Sequence, residues 1–371
     1  MRELIDMKRT IIKTLYLNIL AIFSLIFQFT KVRKNKITIY VTFQEDIDPI
    51  LKQIPDRYDV VVIYHPKLGN YIKGYKYHNF SQSNKGVIKE LYHLSTSKWI
   101  IVDTYYLILA GMKKKRGQKL IQTWHAAGAL KKFGLQDHSL KNASDKAMKQ
   151  YKLVYNTFDY VLVGSNVMEN IFKKSFGLSD SNFLRIGLPR MDKYKKLNRK
   201  KENDTIRKLH GIPAEKIVVS YVPTYRDYEM VVHELPIDFS ALDERYQCFV
   251  KLHPAVNLKS QNKWDTKMTT TELLLISDII ITDYSSLAIE ASFLNIPVLF
   301  YNYDLEEYNE KRGLVDDYFE FIDSEVIRTN EELMKRISEK LIPNEKLNQR
   351  WNEYNNGDAT NQLIKFIDEE G

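Results

Sequence analysis

The sequence predicts an α/β protein: two Rossmann-like domains facing a cleft, with an N-terminal amphipathic membrane-binding helix. Three observations carry that expectation. Short β-branched runs alternate with segments of helical periodicity, the pattern of parallel, doubly wound sheets. A charged stretch poor in apolar residues, Asp192 to Asp204, splits the alternation in two. A strand-like run, Asp278 to Ile281, passes through Thr282-Asp283-Tyr284-Ser285-Ser286-Leu287 into a helix-like run ending at Leu294. Such a turn aims backbone N–H groups and the positive end of a helix at whatever lies over it. In open α/β sheets that edge holds ligands. A plain βα turn with a serine cap is the alternative reading.

Residues 1–35 read as the amphipathic segment. From Ile11 to Phe29 the polar residues Lys13, Thr14, Asn18, Ser24 and Gln28 fall within an arc of about 140° at helical spacing. The opposite face holds Ile12, Leu15, Ile19, Ile22, Phe23 and Ile26. Phe27-Gln28-Phe29 is no cleavage site for a signal peptide, and the polar stripe disfavours a spanning helix. A helix lying in the lipid interface fits better, its basic neighbours meeting anionic headgroups. A helix packed on the protein's own core is the competing reading.

Strand-like runs follow at Lys36–Phe43, Val60–Tyr64, Trp99–Asp103, Leu120–Trp124, Tyr160–Gly164 and Leu184–Gly187, which places a first Rossmann-like domain at 36–195. Asp192–Asp204 reads as a surface linker. Ile217–Val222, Gln247–His253, Asp278–Thr282 and Val298–Tyr301 place the second domain at 205–340. Residues 341–371 are helical in pattern and long enough to pack back on the first domain.

The formal charge of +8 suggests nucleic acid until it is located. Residues 1–36 carry eight basic and two acidic side chains, Arg2, Lys8 and Arg9 among them, so +6 lies there and +2 in the rest. A basic terminus without a basic groove argues against nucleic acid. The single cysteine, Cys248, excludes an internal disulfide and fits a reducing compartment. No Gly-x-x-x-x-Gly-Lys-Ser/Thr, Gly-x-Gly-x-x-Gly, His-Glu-x-x-His or Gly-x-Ser-x-Gly pattern occurs, so no cofactor or metal is implied.

Four polar clusters fall at strand tips. His125 follows Leu120–Trp124 and precedes Ala126-Ala127-Gly128, whose small side chains would admit a substrate to the backbone. With an ordinary pKa near ~6.5 it can accept a proton at neutral pH; a hydrogen-bonded core histidine is the plainer reading. Thr224 and Arg226 follow the first strand of the second half, Arg226 offering a bidentate fork to phosphate or an ion pair to Asp227. His253 is left at a strand tip by Pro254, or merely punctuates it. Glu290 shares a helix face with Ser286 and could accept ribose hydroxyls, or a local ion pair.

In this order the clusters resemble the CDP-glycerol glycerophosphotransferase family of wall teichoic acid synthesis, over nearly the whole chain. The carriers are Gln122–Gly134, Gly187-Leu188-Pro189-Arg190, Pro223–Arg226, Lys251–Pro254, Ser277–Ser286 and Lys311-Arg312-Gly313-Leu314. The resemblance implies a glycosyltransferase-B-like fold. Trp124-His125-Ala126-Ala127-Gly128-Ala129-Leu130-Lys131, one residue longer than the polymerases' Trp-His-Gly-Thr-Pro-Leu-Lys, resembles the primase form. The absence of the polymerases' long extra N-terminal domain points the same way.

The implied reaction moves sn-glycerol 3-phosphate from CDP-glycerol to the ManNAc hydroxyl of ManNAc-GlcNAc-diphosphoundecaprenol, releasing CMP. Chain-extending glycerophosphate or ribitol-phosphate transfer, and nucleotide-sugar glycosyl transfer, are the alternatives. His125 is implied as base, and His253 as phosphate ligand or acid. Gly128, Thr224, Arg226, Ser285, Ser286 and Arg312 are implied at the substrate, with Glu290 on the ribose and Asp283 orienting the loop. Anionic lipids, the lipid-linked disaccharide and other teichoic acid enzymes are the implied partners, at the cytoplasmic face of the plasma membrane.

Overall fold

The computed structural model describes the chain apart from residues 1, 142, 143, 227, 229, 230, 261 and 371, with side chains from residue 11 onward. The side chains of Arg2, Lys8 and Arg9, and the Asp227 considered as a partner of Arg226, therefore lie outside the described residues.

Seven parallel strands form the first sheet: β1 (Arg33–Val41), β2 (Asp59–Tyr64), β3 (His78–Ser81), β4 (Ser97–Val102), β5 (Lys119–Gln122), β6 (Tyr160–Leu162) and β7 (Phe183–Leu184). Their order is β3-β2-β1-β4-β5-β6-β7. Central β1 is buried on both faces from Lys36 to Val41, which is why its apolar run does not alternate. Ile37 lies beside Val60 of β2 and Trp99 of β4, fixing the register.

The second sheet draws on β8 (Ile217–Tyr221), β10 (Tyr246–Val250), β12 (Ile279–Thr282), β13 (Val298–Tyr301) and β14 (Val326–Ile327), in the order β10-β8-β12-β13-β14. β9 (Val231–Val232) and β11 (Asn257–Leu258) pair separately. The short strands β3, β9, β11 and β14 carry too little pattern to be read from sequence.

The charged stretch Asp192–Asp204 is not a linker but parts of two helices, Pro189–Lys196 and Arg199–His210. Asp192 is buried there, accepting from the backbone N–H groups of Ala359 and Thr360 at 3.0 and 2.8 Å. Its charge serves the start of the last helix instead of solvent.

Helix α1 spans Arg2–Phe27. One face packs on helices Val87–Thr96 and Ile108–Gly111: Leu20 is fully buried, and Ser24 Oγ accepts from Lys113 N at 2.6 Å. Gly111 permits that approach, since a Cβ there would lie 2.5 Å from Leu20. Phe23, expected on the apolar outer face, is half-buried with its ring near Phe27. The other face leaves Ile12, Leu15, Ile19, Ile22 and Ile26 exposed by 40% to 66%. No helix among the described residues is long and apolar enough to cross a membrane.

The core does not divide at the lobes. Ile280, Leu287 and Ile289 of the second sheet's layer join the first lobe's core, and Trp351 of helix Glu345–Trp351 completes it. A separate core around Val219, Tyr221, Ile281 and Leu299 fills the far side of the second sheet. The last helix, Ala359–Glu369, returns to the first lobe, where Phe366 meets Trp99 and Tyr160 and Asp368 pairs with Arg57. Trp351 is fully buried and donates from its indole to Phe321 O at 2.9 Å. Trp351→Ala is expected to destabilise the fold by about 3–5 kcal/mol, read in denaturant melts.

Candidate active site

The first lobe's half of the site grows from the end of β5. Trp124 has φ = +64°, rare for a bulky residue. Such a conformation costs on the order of 1–3 kcal/mol and persists only where surroundings over-determine it. Here Gln122 Oε1 accepts from Trp124 N at 2.8 Å, and Phe133, Phe172 and Phe176 pack about the indole. The turn places His125 at the interlobe edge. Its Nδ1 lies 2.9 Å from the backbone carbonyl of Asp103 at the end of β4. A carbonyl only accepts, so Nδ1 carries the proton and Nε2 keeps its lone pair. Burial pushes the imidazole down to about 4, opposed by the Asp103 bond and reinforced by Arg190 and Lys131.

Arg190, which closes the Gly187-Leu188-Pro189-Arg190 motif, holds a central place between the lobes. Its buried guanidinium donates to His125 O at 3.0 Å. It pairs with Asp46 at 3.1 Å in the first lobe and Glu290 at 3.6 Å in the second. Burial pushes Asp46 up to about 7, while Arg190 pulls it down. Glu290 also accepts from Tyr194 at 2.6 Å, so its carboxylate already bridges the lobes.

In the second lobe the Thr282–Leu287 turn is organised by Asp283. That carboxylate is wholly buried, accepting from the N–H groups of Thr224 and Tyr284 at 2.8 and 2.6 Å and from Arg226 at 2.6 Å. It orients the loop and does not face a substrate. Arg226 is a second correction. Its Nε and Nη2 form a fork on Asp304 at 2.9 Å each, its Nη1 binds Asp283, and three tyrosines, 284, 303 and 308, surround it. Burial would discharge it; Asp283 and Asp304 hold it firmly charged. Its fork is occupied by protein carboxylates, not presented to phosphate.

What remains available is more selective. Thr224 Oγ1 is buried without a protein partner. Ser285 Oγ accepts from Leu287 N at 3.2 Å, whereas Ser286, at the start of helix Leu287–Phe293, makes no side-chain cap bond. His253 is exposed at the strand tip, its ring 4.8 Å from Tyr225. Its Nδ1 accepts from Ala255 N at 3.2 Å, which leaves the proton on Nε2. Burial, then Lys67 and Lys131 of the first lobe, lower its pKa. Lys131 of the first lobe thus disfavours the charged form of the histidine in each lobe.

Gly128 is the third correction. A Cβ there would lie 2.2 Å from Ile289 Cδ1 and 2.8 Å from the Trp351 ring, so this glycine admits the other lobe, not a substrate. Backbone bonds zip the lobes alongside it: Lys132 N donates to Gly313 O at 2.9 Å and Val315 N to Leu130 O at 3.2 Å. Arg312 stands at this seam, 4.0 Å from Asp137, beside a cavity of about 420 Å³. Among the described residues no three His, Cys, Asp or Glu side chains are grouped to hold a metal ion. Sequence reasoning missed Phe43, whose ring stacks 4.5 Å from His125, and Asp304; neither adjoins its partner in sequence.

The lowered His125 pKa has a stability consequence. Between about 6.5 and about 4 the unfolded chain binds a proton that the folded site refuses. Stability from this group is therefore full above pH 6.5 and is lost as pH falls toward 4. Relative to His125→Asn, the wild-type chain should lose roughly 2 kcal/mol across that window, after allowance for solvent in the cleft, as read by denaturant titrations at each pH.

Residues 26–369 match the family described as CDP-Glycerol:Poly(glycerophosphate) glycerophosphotransferase. The teichoic acid glycerol-phosphate primase of Bacillus subtilis (strain 168) is 35% identical over 97% of this chain and 98% of its own length. That of Staphylococcus aureus (strain NCTC 8325 / PS 47) is 37% identical over 96% and 98%. A solved structure of the wall teichoic acid polymerase TagF shares the fold at a TM-score of 0.73 and 21% identity, covering 99% of this chain and 98% of that one. A putative UDP-N-acetylglucosamine 2-epimerase from Listeria monocytogenes does so at 0.59 and 15%, covering 91% and 98%. With its two histidine-bearing strand tips set in this shared architecture, the chain belongs to the CDP-glycerol glycerophosphotransferase family and is a transferase similar along its length to teichoic acid glycerol-phosphate primases.

Proposed function

We propose that the chain transfers one sn-glycerol 3-phosphate from CDP-glycerol to the ManNAc hydroxyl of a ManNAc-GlcNAc-diphosphoundecaprenol acceptor. The observation that carries the chemistry is the opposite protonation of the two imidazoles. His125 offers a lone pair at Nε2 on the first lobe and His253 a proton at Nε2 on the second. His125 takes the acceptor hydroxyl's proton as that oxygen bonds to the glycerol-bearing phosphorus. The bond from that phosphorus to the bridging oxygen breaks, and CMP leaves with the oxygen and the electron pair. His253 hydrogen-bonds or protonates the departing phosphate. Thr224 Oγ1, Ser285, Ser286 and Arg312 meet the diphosphate, and Arg226 positions Asp283 beneath them. Glu290 has lone pairs left for a ribose hydroxyl. CDP-glycerol as donor is supported by the family description and by a form of the TagF polymerase soaked with CDPG.

His125→Ala should lower kcat by about 100-fold or more with little change in KM for CDP-glycerol, measured by CMP release. His253→Ala should weaken both steps of donor use, lowering kcat and raising KM. With a soluble-tail disaccharide-lipid analogue, mass analysis should show a single added unit. Many units would make the chain a polymerase, and transfer from CDP-ribitol or a UDP-sugar would displace the donor assignment.

The same reading places the enzyme as a peripheral protein on the cytoplasmic face of the plasma membrane, where other teichoic acid enzymes would be its neighbours. Its support is the exposed apolar face of α1 beside a basic terminus. Tyr16 lies near Glu90 and Tyr40, toward the carboxyl end of β1, while Gln28 bonds near the start of β5. Removing residues 1–30 would expose the core beneath Leu20, so point changes are the better test. Leu15→Asp with Ile22→Asp should release the folded protein from vesicles containing phosphatidylglycerol; unchanged binding would place the lipid contact elsewhere.

A further inference from the structure

Phe43 and Trp124 are not explained by substrate binding or by the assigned roles. Their rings lie 4.5 and 4.4 Å from the His125 imidazole, the Phe43 ring within 15° of parallel. We infer that Phe43, with Trp124, is a positioning residue that sets the basicity of His125 by stabilising the imidazolium formed when the acceptor hydroxyl gives up its proton. The inference rests on His125 as the base and adds what tunes it.

The arrangement is built. Asp103 holds both partners: its carbonyl accepts from His125, and its carboxylate accepts from the N–H groups of Thr42 and Phe43 at 2.8 and 2.6 Å. Tyr106 donates to the same carboxylate at 2.5 Å and lies 2.8 Å from Thr42 Oγ1. One residue thus fixes the imidazole and the ring stacked on it.

The need for such a device follows from the surroundings. Burial disfavours a charged imidazole, and Arg190 and Lys131 repel it. Glu45 and the Asp103 carbonyl favour it. Asp46 and Glu290 are engaged with Arg190, and His253 shares the field of Lys131. Lys67 stands 4.6 Å from the centre of the Phe43 ring. A neutral imidazole is well placed to receive a proton here but weakly basic. The faces of aromatic rings carry negative quadrupolar charge and attract cations, most strongly away from water. Rings against the imidazole stabilise its protonated form without adding a charge that would stay on after transfer.

The test replaces Phe43 in the full-length chain with mono-, tri- and pentafluorophenylalanine, which keep the ring's shape while draining its face. The kcat/KM profile is followed from pH 3 to 8, with each sample returned to pH 7 to confirm recovery. The acidic limb should move downward progressively, by about 0.5–1 pH unit for the fully fluorinated ring. The plateau kcat should fall several-fold as the base weakens, while KM for CDP-glycerol holds. Phe43→Tyr should keep the wild-type limb and Phe43→Leu should follow the fluorinated ring. A limb that stays in place or moves upward overturns the inference, since a shielding or purely packing ring gives those results. Nitrogen chemical shifts of His125, titrated in the same variants, give a readout independent of turnover. The base reading fails separately, if His125→Ala retains its rate.

Discussion

A buried guanidinium, that of Arg190, ties the interlobe edge together. A charge removed from water is tolerated only when it is paired on several sides. Arg190 finds that pairing on Asp46 of the first lobe, on the carbonyl of His125, and on Glu290 of the second lobe. The position of His125 and the position of the opposing helix therefore share a single reference point. Arg226 does the same within the second lobe, where Asp283 and Asp304 consume its donors and the serine turn inherits its shape. The atoms left over by these locked networks, Nε2 of each histidine, Thr224 Oγ1 and the Ser286 hydroxyl, are the ones with chemistry still to offer.

That division explains what could be read from sequence. The long β-branched runs were legible because strands buried on both faces write an uninterrupted apolar signal. The polar clusters were legible because each directly follows such a run. The roles within them were not. Arg226 beside a turn looks like a phosphate ligand until Asp304, far along the chain, is seen filling its fork. Gly128 looks like a place for substrate until Trp351 and Ile289 arrive over it. Asp192 and its charged neighbours look solvated until the last helix begins on that carboxylate. Helical periodicity marked α1 as a helix, but it could not say that Ser24 of the polar arc would face Lys113 or that Phe23 would turn toward the body.

The two lobes are less independent than their separate sheets suggest. One face of the second sheet belongs to the first lobe's core, and the final helices cross between them. The bonds from Lys132 to Gly313 and from Val315 to Leu130 run from the loop bearing His125 to the segment bearing Arg312. Relative motion of the halves must either carry that seam as a pivot or break it. Strain at Trp124 sits close to the same seam, in a loop already fixed by aromatic packing on one side and Arg190 on the other.

The buried face of α1 bears on how the molecule is made. Leu20 and Ser24 meet helices and a loop within residues 87–113, and those belong to a stretch of chain translated later. On the ribosome, the helix emerges before the surfaces that bury Leu20 and Ser24 have been made. Both of its apolar flanks face the surroundings until the first sheet has grown beneath it. The contacts that seat the helix on the folded body therefore form only after residues 87–113 have been made.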